Sequence, residues 1–251
     1  MIKNILSGLK AYVGALGLIS QLKLWKYFAI PIIISVLTAT IIGFSAYGWS
    51  DNIGQFLAKI WVWETGKETF TTITSFIGGI FVLVIGLIVY KHIILALSAP
   101  FMSPVSEKIE AHINKNLQHN HRKTSFQEQL IRGIKISLRN LGKELLITIP
   151  ILLLKFIPVV NIFSTILLFL VQSYYAGFGN MDYTLERHLN YKDSINFVVK
   201  NKGYSIGNGI VFMLCLLVPF LGIIIVLPLS VTAASVKTVE LLNKENERSV
   251  L

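Results

Sequence analysis

Four stretches of the chain contain no Asp, Glu, Lys or Arg: residues 27–50, 69–90, 156–181 and 203–236. They run from 22 to 34 residues, and about 20 apolar residues are enough for one helix to cross a hydrocarbon core of roughly 30 Å. No period-two alternation runs through them, so helices are predicted and barrel strands are not. The first two stretches have the length of one crossing each, which predicts long transmembrane helices over 27–50 and 69–96.

The last two blocks do not fit that rule. Counted from the end of the preceding charged segment, the first runs 145–181, 37 residues with Lys155 as its one charge. The second, 203–236, is 34 residues long. Each is long for one span and short for two. Each has a breaker at its centre: "FIPVVNIF" (156–163) in the first and "LVPFLGII" (217–224) in the second. Proline removes a backbone donor and ends a helix, and Asn and Gly best tolerate the positive φ of a tight turn. The prediction is two re-entrant, partly penetrating helical hairpins, with apices at Pro158 and Asn161 and at Pro219 and Gly222. Arms of 13–17 residues would be about 20–25 Å long. The alternative is one tilted span per block, which would put 182–202 on the opposite side of the membrane.

Between and before the blocks the period is amphipathic. Ile2, Ile5, Leu6, Leu9, Val13, Leu16 and Ile19 recur at helical spacing, predicting an interfacial helix within residues 1–26 rather than a cleaved signal segment. Ser103 followed by Pro104 reads as a helix start, with Val105, Ile109, Ile113 and Leu117 on one stripe. A second amphipathic helix, 126–144, places Leu130, Ile134, Leu138, Leu141 and Leu145 on one face. Arg132, Lys135, Arg139 and Lys143 take the other. The stretch 103–144 is thus predicted as amphipathic cytoplasmic helices, and the whole chain, 1–251, as one all-α integral membrane domain. Trp61 and Trp63, in the loop between the two spans, are predicted interfacial anchors.

Charge then orients the chain. Residues 1–26 carry four Lys and no acid, 51–68 two Lys against three acids, and 91–144 nine Lys or Arg. Positive segments stay inside, so the N-terminus and 91–144 are predicted cytoplasmic. The net charge of +10 belongs to these flanks; no basic-aromatic module points to nucleic acid. The single cysteine, Cys215, can form no internal disulfide or metal site. His119 and His121 sit in a polar linker, with no metal-ligand spacing. No GxxxxGK[ST] loop is present, and the spans hold no paired acids or Ser-His set. No enzyme, cofactor or metal is predicted.

These features together resemble the CysZ-type sulfate permease family, over roughly residues 8–240. The resemblance is carried by "LSAPFMSPVSEKIE" (97–110), "FIPVVN" (156–161), Asp182-Tyr183 after the first hairpin, "VPFLGIIIVLPLSVTAAS" (218–235), and the approach to the first span over residues 8–31. It implies a bacterial inner-membrane protein with two long transmembrane helices and two pairs of partly penetrating helices. It also implies a homo-oligomer that takes up sulfate, without ATPase or cofactor. The family carries a Gly-hydrophobic-Arg-Arg motif before the first span, suited to a tetrahedral dianion. This chain has "KLWK" there: Lys23 stands for Gly, Trp25 for the first Arg and Lys26 for the second. Positive charge is kept and the bidentate fork is lost.

The candidate residues follow. Lys23, Leu24 and Lys26 are candidates for anion binding at the cytoplasmic mouth, against an ordinary role as flanking charges. Arg132, Lys135 and Arg139 line a possible path or meet lipid headgroups. Glu107 and Glu110 are expected to pair with that basic helix. Lys155 is an intramembrane charge and so a pathway candidate. The function expected is passive or ion-coupled uptake of a small inorganic anion, most plausibly sulfate. The alternative is a non-transporting membrane scaffold or accessory protein.

Overall fold

The computed structural model describes residues 1–59, 65–114, 122–154, 157–218 and 221–250, and every regular element among them is a helix. Trp61, Trp63, Leu117, His119, His121, Lys155 and Pro219 lie outside the described residues.

Two short helices, α1 (Ile2–Lys10) and α2 (Ala15–Gln21), open the chain, and a 3-10 turn over Leu24–Tyr27 leads into α3 (Ala29–Ala58). α4 (Lys67–Leu97) returns along α3, with Gly54 against Ser75 and Gly86 against Ile42. At 30 and 31 residues both helices are about 45 Å long and project beyond a hydrocarbon core of roughly 30 Å. The outward side of α3 is apolar, with Ile33, Leu37, Ile41 and Phe44 exposed, as lipid-facing helices require.

Ser98 is the hinge to α5 (Ala99–Ile113), which leaves α4 at 65°. The predicted start at Ser103 and Pro104 is therefore late by about one turn. Pro100 occupies the first-turn position, and Pro104 lies inside the helix. α6 (Phe126–Leu154) is one continuous helix joining the predicted amphipathic segment to the first arm of the hairpin. It opens with a capping box: Glu128 N–H donates to Ser125 Oγ at 3.3 Å and Ser125 N–H to Glu128 Oε2 at 2.9 Å. α7 (Pro158–Leu185) folds back on it; α8 (Tyr191–Lys200), α9 (Lys202–Leu216), α10 (Leu221–Ile224) and α11 (Val226–Val250) complete the chain.

The apices are not the turns that were predicted. Ile157 is the extended residue, Pro158 opens α7, and Asn161 lies in its first turn, its N–H bonded to the Ile157 carbonyl at 3.0 Å. Proline at the first helical position has no donor to lose, so it starts this arm instead of bending it. Gly222 has no positive φ either. A Cβ there would stand 2.5 Å from the Cys215 carbonyl oxygen, so glycine is needed for close approach of the returning chain. The arms of the first block are also unequal: 10 of its residues belong to α6 and 24 to α7.

α9 is the most crowded element. Gly203 and Gly207 meet Asn4, Ile5 and Gly8 of α1, while Ser205 and Gly209 meet Gly177 and Ser173 of α7. Backbone touches backbone on both flanks. α1 thus packs on α9 through Gly8, and its apolar residues Ile2 and Leu6 point outward.

Among the described residues, Ala29–Phe56 and Val160–Leu185 are each long and apolar enough to cross a membrane, as is Ile2–Gln21 taken as one unit. The bent pair Ile85–Leu97 and Ala99–Ile113 makes a fourth candidate. The protein is an all-helical, multi-pass membrane protein.

Candidate functional site

The approach to α3 brings two lysines to one tyrosine, with Lys23 three residues upstream of the first. Lys23 and Lys26 are exposed, and the Leu24 side chain is fully buried, which leaves only the backbone of Leu24 to offer a ligand. Lys26 Nζ lies 5.3 Å from the centre of the Tyr27 ring, and Lys108 Nζ of α5 lies 5.6 Å from it. Lys108 was not singled out in the sequence, because it stands far from the KLWK stretch and only the bend at Ser98 delivers it. The ammonium groups of Lys26 and Lys108 at Tyr27, just ahead of a 30-residue helix, make an electropositive mouth, to which the dipole of the helix start adds. A polar groove of about 570 Å³ runs beside α1 and α2 toward α11, lined by Ser7, Lys10, Gln21, Lys237 and Glu240.

Lys23 has a further property. Its φ is 53°, the one left-handed non-glycine residue described. That conformation costs a residue with a Cβ about 1–2 kcal/mol.

Deeper in, charges are buried and paired. Lys91 Nζ donates to Glu144 Oε1 at 2.5 Å, with both side chains inaccessible, and His92 Nε2 lies 2.9 Å from Glu144 Oε2. Arg132 grips Asp182 in a two-pronged contact, Nε to Oδ2 at 3.0 Å and Nη2 to Oδ1 at 2.9 Å. It also donates to the Leu189 carbonyl at 2.8 Å. Arg187 reaches Glu110 at 2.9 Å and Ser106 Oγ at 2.6 Å, and His188 Nε2 lies 2.8 Å from the other Glu110 oxygen. Ser103 Oγ donates to Glu186 Oε1. Burial pushes the Glu186 carboxyl up to about 7, and the nearby Asp182 charge adds to this; the Ser103 hydrogen bond and the Arg187 and Arg132 charges oppose it.

Several expectations change here. Glu110 pairs with Arg187 and His188 beyond α7, not with the basic face of α6, and Glu107 is exposed. Arg132 faces inward to Asp182, so it is no headgroup contact, while Lys135 stays exposed. Arg139 is half-buried, bonded to Asn140 Oδ1 at 2.7 Å and 5.1 Å from the Phe178 ring centre. Part of the leucine face of α6 turns outward, with Leu138 and Leu145 exposed. In a bilayer that is the stable arrangement: leucine meets lipid and arginine meets its carboxylate. Lys91, His92, Glu144, Asp182, Glu186 and Arg187 were missed as site residues. Their signal was the charge in "VYKHIIL" and "GKELLI" directly against apolar runs, where a charge needs a buried partner.

A family model described as sulfate transporter CysZ/etoposide-induced protein 2.4 matches residues 11–226. The chain belongs to this CysZ/etoposide-induced protein family. No curated protein matches it at a significant level. Within the CysZ family the KLWK stretch now has a structural reading. The position that resembles the family's motif glycine is Lys23, the residue with left-handed backbone, where glycine would carry no steric cost.

Proposed function

We propose that this protein is a membrane permease for a small inorganic anion, sulfate first, passive or ion-coupled. It works in a bacterial inner membrane as a homo-oligomer with a cytoplasmic N-terminus. The observation that carries this reading is the pairing of Lys26 and Lys108 at Tyr27, ahead of α3, with the exposed Lys23 close by in sequence, in a chain of a sulfate-transporter family. Ammonium groups recruit the dianion, and helix-start N–H groups take over part of its hydration shell.

The topology proposed is two long helices, α3 and α4, with two hairpins that enter and return. The Arg132–Asp182 contact ties the base of α6 to the base of α7, which supports putting 126–144 and 182–202 on the same side. The first arm, 145–154, is about 15 Å of apolar helix, too short to cross alone. Pro158 and Asn161 open the return arm, and Gly222 sits where the second hairpin turns back. Lys155 is kept as a pathway candidate.

Uptake of labelled sulfate into proteoliposomes tests the reading. The K26A/K108A double variant is expected to lower apparent affinity about tenfold, since a hydrogen bond to a charged group contributes about 1.5–3 kcal/mol. Folded protein that passes no sulfate would end the reading. A second reading, a non-transporting scaffold, is favoured by one observation: the α7–α9 interface is backbone-close. The same flux measurement separates the two.

A further inference from the structure

Between α4, α5, α6 and α7 lies a small cavity of about 10 Å³, lined by Gly133, Ser137, Gly179, Asp182, Tyr183 and Glu186 among others. That is room for a single water molecule with several polar partners. The two carboxyl groups on its wall come from one helix end, four residues apart, on the same face of α7. Their partners differ sharply. Asp182 has both oxygens on the Arg132 guanidinium. Glu186 has one hydroxyl, Ser103 Oγ on α5. Both are buried.

The charged groups around Glu186 are mostly engaged with other partners. Arg132, from α6, is shared among Asp182, the Leu189 carbonyl and Ser194 Oγ. Arg187, on α7, gives its Nη groups to Glu110, Ser106, Ser103 and the Tyr183 carbonyl. Glu110 of α5 is held by Arg187 and His188. Tyr183 donates its hydroxyl to the Leu95 carbonyl at 2.6 Å. None of these cations makes an ion pair with Glu186, and the Arg187 Nε is the one guanidinium donor of that pair of arginines left without a partner among the described residues. A carboxylate there would be a second negative charge beside Asp182 in a buried site.

We propose that Glu186 is a proton-binding site, served by the water-sized chamber, whose occupancy controls the junction between α5 and α7. With the carboxyl ionised, the Ser103 hydroxyl donates to a full negative charge and clasps α5 to the end of α7. When the proton binds, that hydrogen bond weakens and the clasp loosens. The protonated state belongs to acid conditions and is lost as pH rises through about 7, where the Glu186 carboxyl titrates. As regulation of anion passage, this rests on the permease reading; as a proton site, it does not.

The test uses the full chain. Infrared difference spectroscopy of the protein in lipid is expected to show a protonated-carboxyl band that disappears as pH rises through about 7 and is absent in E186Q. In the second variant, S103A, the donor that favours the charged form is removed, so the band's midpoint is expected to move up by about one pH unit. A band that titrates in the ordinary carboxylate range, or that persists in E186Q, overturns the site. Should E186Q not fold, an unmoved midpoint in S103A overturns it instead. Sulfate flux across the same pH range is expected to change with the band in wild type and to lose that dependence in E186Q. Flux that keeps the wild-type profile in E186Q overturns the control of passage. Absence of flux at every pH removes the permease reading while the band titration still stands.

Discussion

The two apolar blocks share a proline-centred motif, yet they are held in the fold by opposite means. The first, α6 with α7, is fastened by buried ions: Glu144 to Lys91 and His92, and Arg132 to Asp182. The second, α9 with α10 and α11, contains no charge over 203–236. It is fastened by missing side chains, at Gly203, Gly207, Gly209 and Gly222. Its polar component is neutral: Asn180 donates to Asn208 Oδ1 at 2.8 Å, Asn208 to the Ser230 carbonyl at 2.9 Å, and the Tyr12 hydroxyl to Ser230 Oγ at 2.7 Å. In a bilayer, apolar burial adds little between helices, so either close backbone contact or buried polar bonding must supply the attraction. The two hairpins divide those solutions between them.

The largest expected effect tests the ionic hairpin. Glu144→Ala leaves Lys91 inaccessible and without its carboxylate, and removing one partner of a buried pair costs about 3–5 kcal/mol. A thermal unfolding series in detergent should show this loss. The pair K91M/E144M should recover most of it, because no lone charge remains. If the double variant is no better than E144A, the contact is not what fastens α4 to α6.

Next comes the glycine hairpin. A Cβ at Gly209 would fall 1.7 Å from the Ser173 carbonyl oxygen, and at Gly177 1.9 Å from that of Ser205. Backbone cannot rotate aside, so α7 and α9 must separate. Overpacking of this kind typically costs about 1–3 kcal/mol, and Gly209→Ala should sit at the top of that range. Gly142→Ala is the control. Nothing lies within 4 Å of the added carbon, and an exposed helical position gains up to about 1 kcal/mol from the change. Equal behaviour of the two variants would dissolve the distinction between the hairpins.

Much of this was legible in the sequence, and what was not has identifiable causes. The spans, the breakers and the family resemblance could be read because membrane insertion demands long uncharged runs, and those survive in one dimension. The partners of the buried charges could not. Lys91 and Glu144 are 53 residues apart and Arg187 and Glu110 77 apart, and no periodicity links them. The amphipathic faces of α6 were legible, but not which basic residue turns inward: Arg132 finds its carboxylate 50 residues away, at Asp182. The apices failed for a subtler reason. Pro and Asn fit both a turn and the first turn of a helix, and residues 158–161 chose the helix start.

The smallest expected effect lies outside both hairpins, at Lys23, and sharpens the comparison by separating backbone strain from charge. Lys23 holds φ at 53° with its side chain exposed, so the structure gains no packing in return for the strain. Lys23→Gly relieves a left-handed Cβ at a cost of greater freedom in the unfolded chain. The net is expected to be a gain of about 1 kcal/mol or less, visible as a small rise in the unfolding temperature. Lys23→Ala removes the same charge while keeping the Cβ, and should give no such rise. If sulfate uptake falls equally in both variants, the loss belongs to the ammonium group. If it falls in K23A and not in K23G, the backbone shape of the mouth matters more than its charge, and the glycine of the family motif would then be serving the anion through its conformation.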